Sequence, residues 1–466
     1  MAAASKKART SPEWNLPPAL IQHIALFISD QKDFYAYLSC FQDSRGETLG
    51  HLQHFWELSF SIDPADLWPA LHVRTLNHGI ATSMRAVATY FSVVDIFKVF
   101  DLALVCSILG PSHILRVHDC PPNVDDMDMW LDRILTFPLQ HLTFHSKEHS
   151  HFTRLLEALP FMPRMHSLDV HDTTVRSLDL LTAFLNSPSS SSLLELRLSR
   201  LYLEVEGEDM LVRRMRDGSP ELVPALADAL ATWLQREPAT TLTLSKWTCH
   251  ASVAAVRALF EAVWACPTLE HLDLSLTHVE FLLQAHTFST PLTVHSLNLS
   301  GCGVDAKAMA HLAHGLRRSH VAELTLDHNP IEFAGLKALV AVLPETNVQS
   351  LALRRMMLDD TDCRHVAMAL PQSKVAELDL SFNSIRDRGA EELAAYVRRT
   401  PSLHTIRLVD NEICMPGASA LVKALAARAH DMKYLDVSKN LVESDEAKTL
   451  NKMVADAPRI QCALFR

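Results

Sequence analysis

Three histidines recur at the same position of successive leucine-led segments, and they are the residues of this chain best placed for chemistry. His118, His145 and His171 each stand three residues after an apolar residue that begins a short alternating segment. Imidazole titrates near neutral pH and is a common metal ligand. If these segments are neighbouring strands roughly 4.8 Å apart, the three rings form a column. We hypothesise a pH-sensitive or metal-accessible patch; the alternative is an uncharged polar strand edge.

The motifs that usually accompany catalysis or phosphate binding do not occur in this sequence. Glycine is scarce, at 12 residues, and neither G-x-G-x-x-G nor G-x-x-x-x-G-K-[ST] is present. The nine cysteines include no Cys-x-x-Cys pair, which disfavours a structural zinc site or a disulfide framework. No nucleophile stands beside an ordered base. We therefore expect a protein that is not an enzyme, holds no metal and uses no cofactor.

Composition and charge restrict the class of partner. Acidic residues outnumber basic ones, 54 to 43, for a formal net charge of −11. This excess disfavours general binding to nucleic acid or to an anionic membrane. The hydrophobic fraction of 48% can form a large core. The first residues contain no apolar signal segment and the cysteines are dispersed, so we expect a cytoplasmic or nuclear location.

One short pattern recurs along most of the chain. It reads apolar-x-x-Leu-x-Leu-x-x-(Asn/Cys)-x-apolar, as in residues 323–333, 377–387 and 434–444. Successive anchors are 25 to 30 residues apart, with one interval of 46. This regularity indicates a repeat architecture. The anchors are Leu115, Leu142, Leu168, Leu196, Leu242, Leu272, Leu297, Leu324, Leu351, Leu378, Ile406 and Leu435.

Each repeat is predicted to be a strand followed by a helix. Leu-x-Leu places two side chains on one face of a strand, and the following residues have helical periodicity. Stacked units bury a continuous core, which requires parallel strands and an outer helix layer. The Asn or Cys position is predicted to satisfy buried backbone groups of the turn. Several repeats have another residue type at this position, which leaves the register of the middle repeats open. The departing residues are Thr173, Leu201, Trp247, Thr277 and Met356.

The period, the strand motif and the helix entries Gly389–Ala390 and Gly417–Ala418 resemble ribonuclease-inhibitor-like leucine-rich repeats. The resemblance covers residues 111–466, about 12 repeats. It implies an α/β solenoid shaped as a horseshoe, with a concave parallel sheet and convex helices. It also implies a protein-binding surface much more specifically than any reaction.

Residues 14–60 do not follow the repeat and resemble an F-box. The resemblance lies in Leu16-Pro17, Ile24, Ile28, Asp33-Phe34 and Ser39-Cys40, with Phe55-Trp56-Glu57-Leu58 after them. The family implies a Skp-type adaptor of a cullin–RING ubiquitin ligase as partner; the alternative is a helical cap on the repeats. Residues 1–13 are predicted to be a disordered tail, and 61–110 a helical connector or degenerate repeats. The adaptor-binding residues would be Leu16, Pro17, Leu20, Ile21, Ile24, Ile28, Phe34 and Leu38.

The concave face is the predicted site for a protein target. Histidine is more frequent at its positions than composition predicts, at His113, His118, His141, His145, His166, His171, His271, His295, His328 and His404. The target-binding residues would be His118, His145, His171, Arg197, Asp273, Asp327, Arg354, Arg355, Asp379 and Arg407. The sequence favours a ligase subunit that recognises a target. A non-enzymatic scaffold or inhibitor, and a small-GTPase regulator resembling Ran GTPase-activating proteins, remain as alternatives.

Overall fold

The computed structural model describes residues 16–42, 47–122, 124–204, 219–250 and 254–465. It divides into two compact units, residues 1–143 and 144–466. The predicted tail at residues 1–13 lies outside the described residues. Each unit consists of parallel strands connected by helices, so the predicted α/β solenoid is confirmed.

The strands follow one another in nearly sequential order. In the first unit the order is β1-β2-β3-β4, and in the second it is β5-β7-β9-β10 and then consecutively to β17. A separate parallel pair joins β6 to β8. The strands are β1 (Leu71–Val73), β2 (Val93–Ile96), β3 (Ile114–Val117), β4 (Leu139–Phe144), β5 (Ser167–His171), β6 (Thr174–Val175), β7 (Glu195–Ser199), β8 (Tyr202–Leu203), β9 (Thr241–Ser245), β10 (His271–Asp273), β11 (Ser296–Asn298), β12 (Glu323–Thr325), β13 (Ser350–Ala352), β14 (Glu377–Asp379), β15 (Thr405–Arg407), β16 (Tyr434–Asp436) and β17 (Ala463–Leu464).

In the described part of the chain, four α-helices precede the first strand, beginning with α1 (Pro18–Ala25) and α2 (Gln31–Cys40), and the later helices connect the strands. Asp30 caps α2, because its carboxylate accepts a hydrogen bond from the Asp33 N–H at 2.9 Å. The other helices are Gln53–Leu58, Pro64–Leu67, Ala81–Ala88, Leu102–Ile108, Val124–Ile134, His149–Ala158, Asp179–Asn186, Pro224–Arg236, Ala254–Ala265, Glu280–Ala285, Ala306–Leu316, Glu332–Val342, Asp360–Ala369, Asp387–Val397, Met415–Ala426 and Ser444–Ala455.

The strand anchors form the interior. All twelve predicted anchors lie on strands and are at most 2% exposed. Most residues on either side of them remain partly exposed, because strand side chains alternate between the two faces. We call this partly exposed surface the open face; it corresponds to the face predicted to be concave. The segment 61–110, expected to be a connector or degenerate repeats, contributes β1 and β2.

The Asn position stabilises the turn after each strand. The side-chain amide of Asn383 donates to the Leu353 carbonyl of the preceding repeat at 2.9 Å, and its oxygen accepts from the Met356 N–H at 2.9 Å. Asn329, Asn411 and Asn440 make equivalent bonds. The prediction that buried amides satisfy the turn is therefore confirmed.

Three substitutes at the Asn position keep its donor. The Trp247 indole N–H donates to the Leu198 carbonyl at 3.1 Å, and the Thr277 hydroxyl donates to the Leu244 carbonyl at 2.7 Å. The Cys302 thiol donates to the Leu274 carbonyl at 2.9 Å. Each acceptor is the second strand leucine of the preceding repeat. Trp247, Thr277 and Cys302 therefore make the same kind of contact and fix the register of the middle repeats.

Candidate interaction surfaces

The first candidate surface is one side of α1 in the first unit. Leu16, Leu20, Ile24 and Phe27 are spaced to share one side of a helix. Their exposed fractions are 40%, 43%, 36% and 77%. On the other side of α1, Ile21 is 1% exposed and packs inside the first unit. We call these four exposed residues the α1 stripe. An exposed apolar patch of this kind is typical of an interaction site.

Three predicted adaptor-binding residues were placed wrongly on this surface. Ile21, Phe34 and Leu38 are at most 1% exposed and pack inside the first unit. The Phe34 ring stacks on Trp68 with centroids 4.4 Å apart and meets Phe55 edge-on at 5.4 Å. Apolar spacing alone does not distinguish the side of a helix that faces its own core from the side that faces a partner.

The remaining predicted adaptor residues are accessible to different degrees. Pro17 is exposed immediately before α1, and Ile28 is half-buried after it. The carbonyl of Ile28 accepts a hydrogen bond from the Trp68 indole at 2.6 Å, so its backbone is part of the unit's interior. Phe27, the most exposed member of the α1 stripe, was not among the predicted adaptor residues. Its spacing from Leu16, Leu20 and Ile24 is the feature of the sequence that could have identified it as an adaptor-binding residue.

His118 belongs to an ordered cluster in the first unit. Its Nε2 lies 2.7 Å from Asp95 Oδ1, and its ring stacks on Phe97 with centroids 4.3 Å apart. Burial raises the pKa of the Asp95 carboxyl, but the hydrogen bond and charge of His118, with the charges of Arg116 and His72, outweigh it and lower that pKa.

The predicted column of three histidines is wrong in register at His118. The β3–β4 pairing shifts so that Val117 faces Leu142, whereas the repeat spacing would align Leu115 with Leu142. The imidazole that His118 contacts is His141, with ring centroids 4.7 Å apart. A register shift of this kind cannot be seen in the spacing of anchors.

The other two histidines of the column are neighbours in the second unit. The rings of His145 and His171 stack with centroids 5.4 Å apart. His171 Nδ1 lies 3.6 Å from the Asp169 carboxylate. The hydrogen bond to Asp169 raises the pKa of His171, burial opposes it, and the charges of Asp169 and Asp172 add to the increase.

Arg197 and Asp273 are held by neighbours within the second unit. Arg197 donates to Glu195 Oε2 at 2.7 Å and to the Ser167 hydroxyl at 3.3 Å. Asp273 Oδ1 accepts from the Ser275 N–H at 2.8 Å. Both side chains remain partly exposed on the open face, so they present fixed charges to a partner.

The last predicted residues lie on or just after strands β12 to β15. Arg354 lies 3.9 Å from Asp327 Oδ2 and 3.8 Å from Asp379 Oδ2. Burial raises the pKa of Asp327, and the Arg354 N–H bond opposes that increase. Arg407 lies 3.6 Å from Glu377 and is the cross-strand partner of Asp379. Arg355 is exposed beside Phe382, so this region combines charged and aromatic groups.

Within the described ranges, no group of three His, Cys, Asp or Glu side chains could hold a metal ion. Nor does any helix of that part of the chain have the length and apolar character needed to cross a bilayer. The arrangement offers polar contacts, rings and ion pairs distributed over strands, which suits recognition of a macromolecule.

Comparison with known proteins identifies the type of repeat. A family model described as Leucine Rich repeat matches residues 373–394. The chain is 30% identical over 190 residues to NACHT, LRR and PYD domains-containing protein 13 of Homo sapiens, covering 38% of this chain and 18% of that protein. It is 31% identical over 146 residues to the ribonuclease inhibitor of Sus scrofa, covering 30% of this chain and 32% of the inhibitor.

The comparison also gives a further sequence relative and a solved structure. The ribonuclease inhibitor of Mus musculus is 28% identical over 202 residues, covering 41% of this chain and 44% of the inhibitor. A solved structure of the Rad7 and Elc1 complex in yeast aligns with a TM-score of 0.48 and 13% identity, over 90% of this chain and 96% of that one. The chain spans less than half the length of each of these three sequence relatives. Together with the strand pattern, the sequence matches show that this chain carries leucine-rich repeats of the ribonuclease-inhibitor-like kind.

Proposed function

We propose that this chain is the target-recognition subunit of a cullin–RING ubiquitin ligase. The α1 stripe would bind a Skp-type adaptor, and the open face of the second unit would bind the target protein. The observation that carries the proposal is the α1 stripe itself: Leu20 and Ile24 on α1, Leu16 before it and Phe27 after it, all left exposed by the rest of the first unit. Association of such a stripe with a partner helix is ordinary interface physics.

The proposed mechanism is proximity. A chain that holds the ligase through one surface and the target through another raises the target's effective concentration at the ligase. None of its own side chains has to form a bond with the substrate. The open face supports this role through fixed, partly exposed charges such as Arg197, Asp273 and Arg407.

Adaptor binding is tested by pull-down with a purified Skp-type adaptor. We expect the full chain to retain the adaptor and the variant Leu20→Asp plus Ile24→Asp to lose it, because a charged group in an apolar contact is strongly disfavoured. Phe161→Asp is the matched control, since Phe161 is 84% exposed and lies in the second unit. Failure of the wild-type chain to retain the adaptor would remove the proposal.

A second candidate is an inhibitor that uses the repeats alone. The two relatives named ribonuclease inhibitor match the chain at 31% and 28% identity, and this similarity favours it. The test is hydrolysis of RNA by a pancreatic-type ribonuclease with and without an excess of the full chain. Stoichiometric inhibition would support the candidate, and an unchanged rate would eliminate this inhibitory activity.

A further inference from the structure

Two consecutive arginines of the second unit, Arg354 and Arg355, share one aromatic ring. The Arg354 and Arg355 guanidinium carbons lie 5.3 and 4.5 Å from the centroid of Phe382. Each contact is a favourable cation–π interaction. Both guanidinium groups are permanently charged and donate hydrogen bonds only. One ring therefore brings two cationic donors to the same place on the open face.

The nearest carboxylates do not form hydrogen-bonded pairs with Arg354. Asp327 Oδ1 accepts from the Arg354 backbone N–H at 2.8 Å, and Asp379 Oδ1 accepts from the Ser381 N–H at 2.9 Å. Their other oxygens lie 3.9 and 3.8 Å from the Arg354 guanidinium, beyond hydrogen-bond distance. Both carboxylates are therefore held by the backbone.

Arg354 retains an unused donor in a position shielded from water. Its Nε is buried and has no hydrogen-bond partner among the described residues. A buried donor without an acceptor is unfavourable. Arg355 is exposed, and its contact with Phe382 is the interaction that the structure shows for its side chain.

We infer that Arg354 and Arg355 together bind an anionic side chain of the protein target, either a carboxylate or a phosphorylated hydroxyl. The anion would lie beside Phe382 and accept hydrogen bonds from the guanidinium groups. Arginine suits this role because its planar donors match carboxylate and phosphate oxygens in pairs. The inference rests on the proposed target-binding role of the open face and specifies its chemistry.

The test is peptide binding to the full chain, measured by fluorescence anisotropy at low and at raised salt. Three labelled twelve-residue peptides share one sequence apart from two central positions, which are glutamate, phosphoserine or serine. We expect the glutamate peptide, the phosphoserine peptide or both to bind at least tenfold more tightly than the serine peptide, with salt reducing the difference. The two anionic peptides distinguish a carboxylate from a phosphate. Equal binding of all three, or no binding at millimolar concentration, would overturn the inference.

Variants locate the effect. Arg354→Gln and Arg355→Gln should each abolish the preference for the anionic peptides, whereas Arg364→Gln should leave it unchanged. Arg364 is a matched control because its side chain is 51% exposed, against 43% for Arg354, and lies on the helix Asp360–Ala369. If Arg354→Gln and Arg355→Gln both keep the preference for the anionic peptides, the anion binds elsewhere and the inference is wrong.

Thermal unfolding of the same variants keeps the result interpretable. Arg355→Gln should remain folded at the temperature of the binding assay, because Arg355 is exposed. A variant that stays folded and still prefers the anionic peptides would contradict the inference. Adaptor retention by the α1 stripe is measured separately, so loss of peptide preference with the adaptor still bound leaves the proposed ligase role standing.

Discussion

At the residue scale, the turn asparagines connect neighbouring repeats. Asn383 is 8% exposed and bonds to the backbone of its own repeat and of the preceding one. Removing its amide leaves buried carbonyl and N–H groups unpaired. We expect Asn383→Ala to lower the free energy of unfolding by about 1–3 kcal/mol. Urea unfolding measures this, with the exposed Ser384→Ala as control; equal stability of the two variants would show that the amide is dispensable.

His171 gives the second unit a pH-dependent contribution to stability. Because Asp169 raises the pKa of folded His171, the contribution is fully present below the unfolded value near 6.5 and is lost as pH rises through the raised value. We expect His171→Gln to lose more stability relative to wild type at pH 5.5 than at pH 8.5. Urea unfolding at both values checks this, with the more exposed His278→Gln as control. The same loss at both pH values would rule out the interaction.

At the element scale, two late helices, Asp387–Val397 and Met415–Ala426, have their first turn bound by a carboxylate of the repeat before them. Asp387 Oδ1 accepts from the N–H groups of Cys414 and Gly417 at 2.8 and 2.9 Å. Asp360 does the same for Arg386 and Gly389 at 2.7 and 2.9 Å. This contact explains the glycine of the predicted Gly-Ala helix entries, because the carboxylate occupies the space that a side chain at the glycine position would need.

Gly417 is therefore a position where alanine should harm a helix. A Cβ there would lie 2.6 Å from Asp387 Oδ1 and 2.8 Å from its Cα. We expect Gly417→Ala to lower the free energy of unfolding by about 1–3 kcal/mol through overpacking, although alanine is the better helix former. Chemical unfolding measures the change. Gly110→Ala is the control, since its Cβ would meet its nearest neighbour at 3.6 Å; a stabilised Gly417→Ala would refute the close approach.

At the scale of the whole molecule, repeats contact mainly their sequence neighbours. Leu380 is fully buried within the second unit. We expect Leu380→Ala to lower the free energy of unfolding by about 2–5 kcal/mol, as other cavity-forming changes do. Because stability in repeat arrays is set by nearest neighbours, hydrogen exchange should rise first in the adjoining repeats.

The exposed Leu441→Ala provides the control for this change, since Leu441 is 60% exposed. Hydrogen exchange with mass spectrometry follows each repeat separately. A destabilisation below about 0.5 kcal/mol would mean that Leu380 makes no interior contact of the expected kind. A uniform rise in exchange across the second unit would contradict nearest-neighbour coupling.

The sequence by itself determined the repeat, the parallel strands and the buried anchors, because one local pattern repeats and each unit packs on a copy of itself. It also indicated the role of Asn329, Asn383, Asn411 and Asn440. The period constrains these features strongly, since a strand displaced by one residue would turn its leucines to solvent.

The tertiary structure alone decided which apolar residues of α1 and α2 face outward, how β3 pairs with β4, and which acid each arginine meets. Phe34 and Leu38 are buried in the core. His118 lies against Asp95, Phe97 and His141. These outcomes depend on contacts between residues far apart in the chain and on a register shift that leaves the anchor spacing unchanged. Such contacts cannot be predicted from residue spacing, because spacing indicates only which side chains of one segment share a buried face.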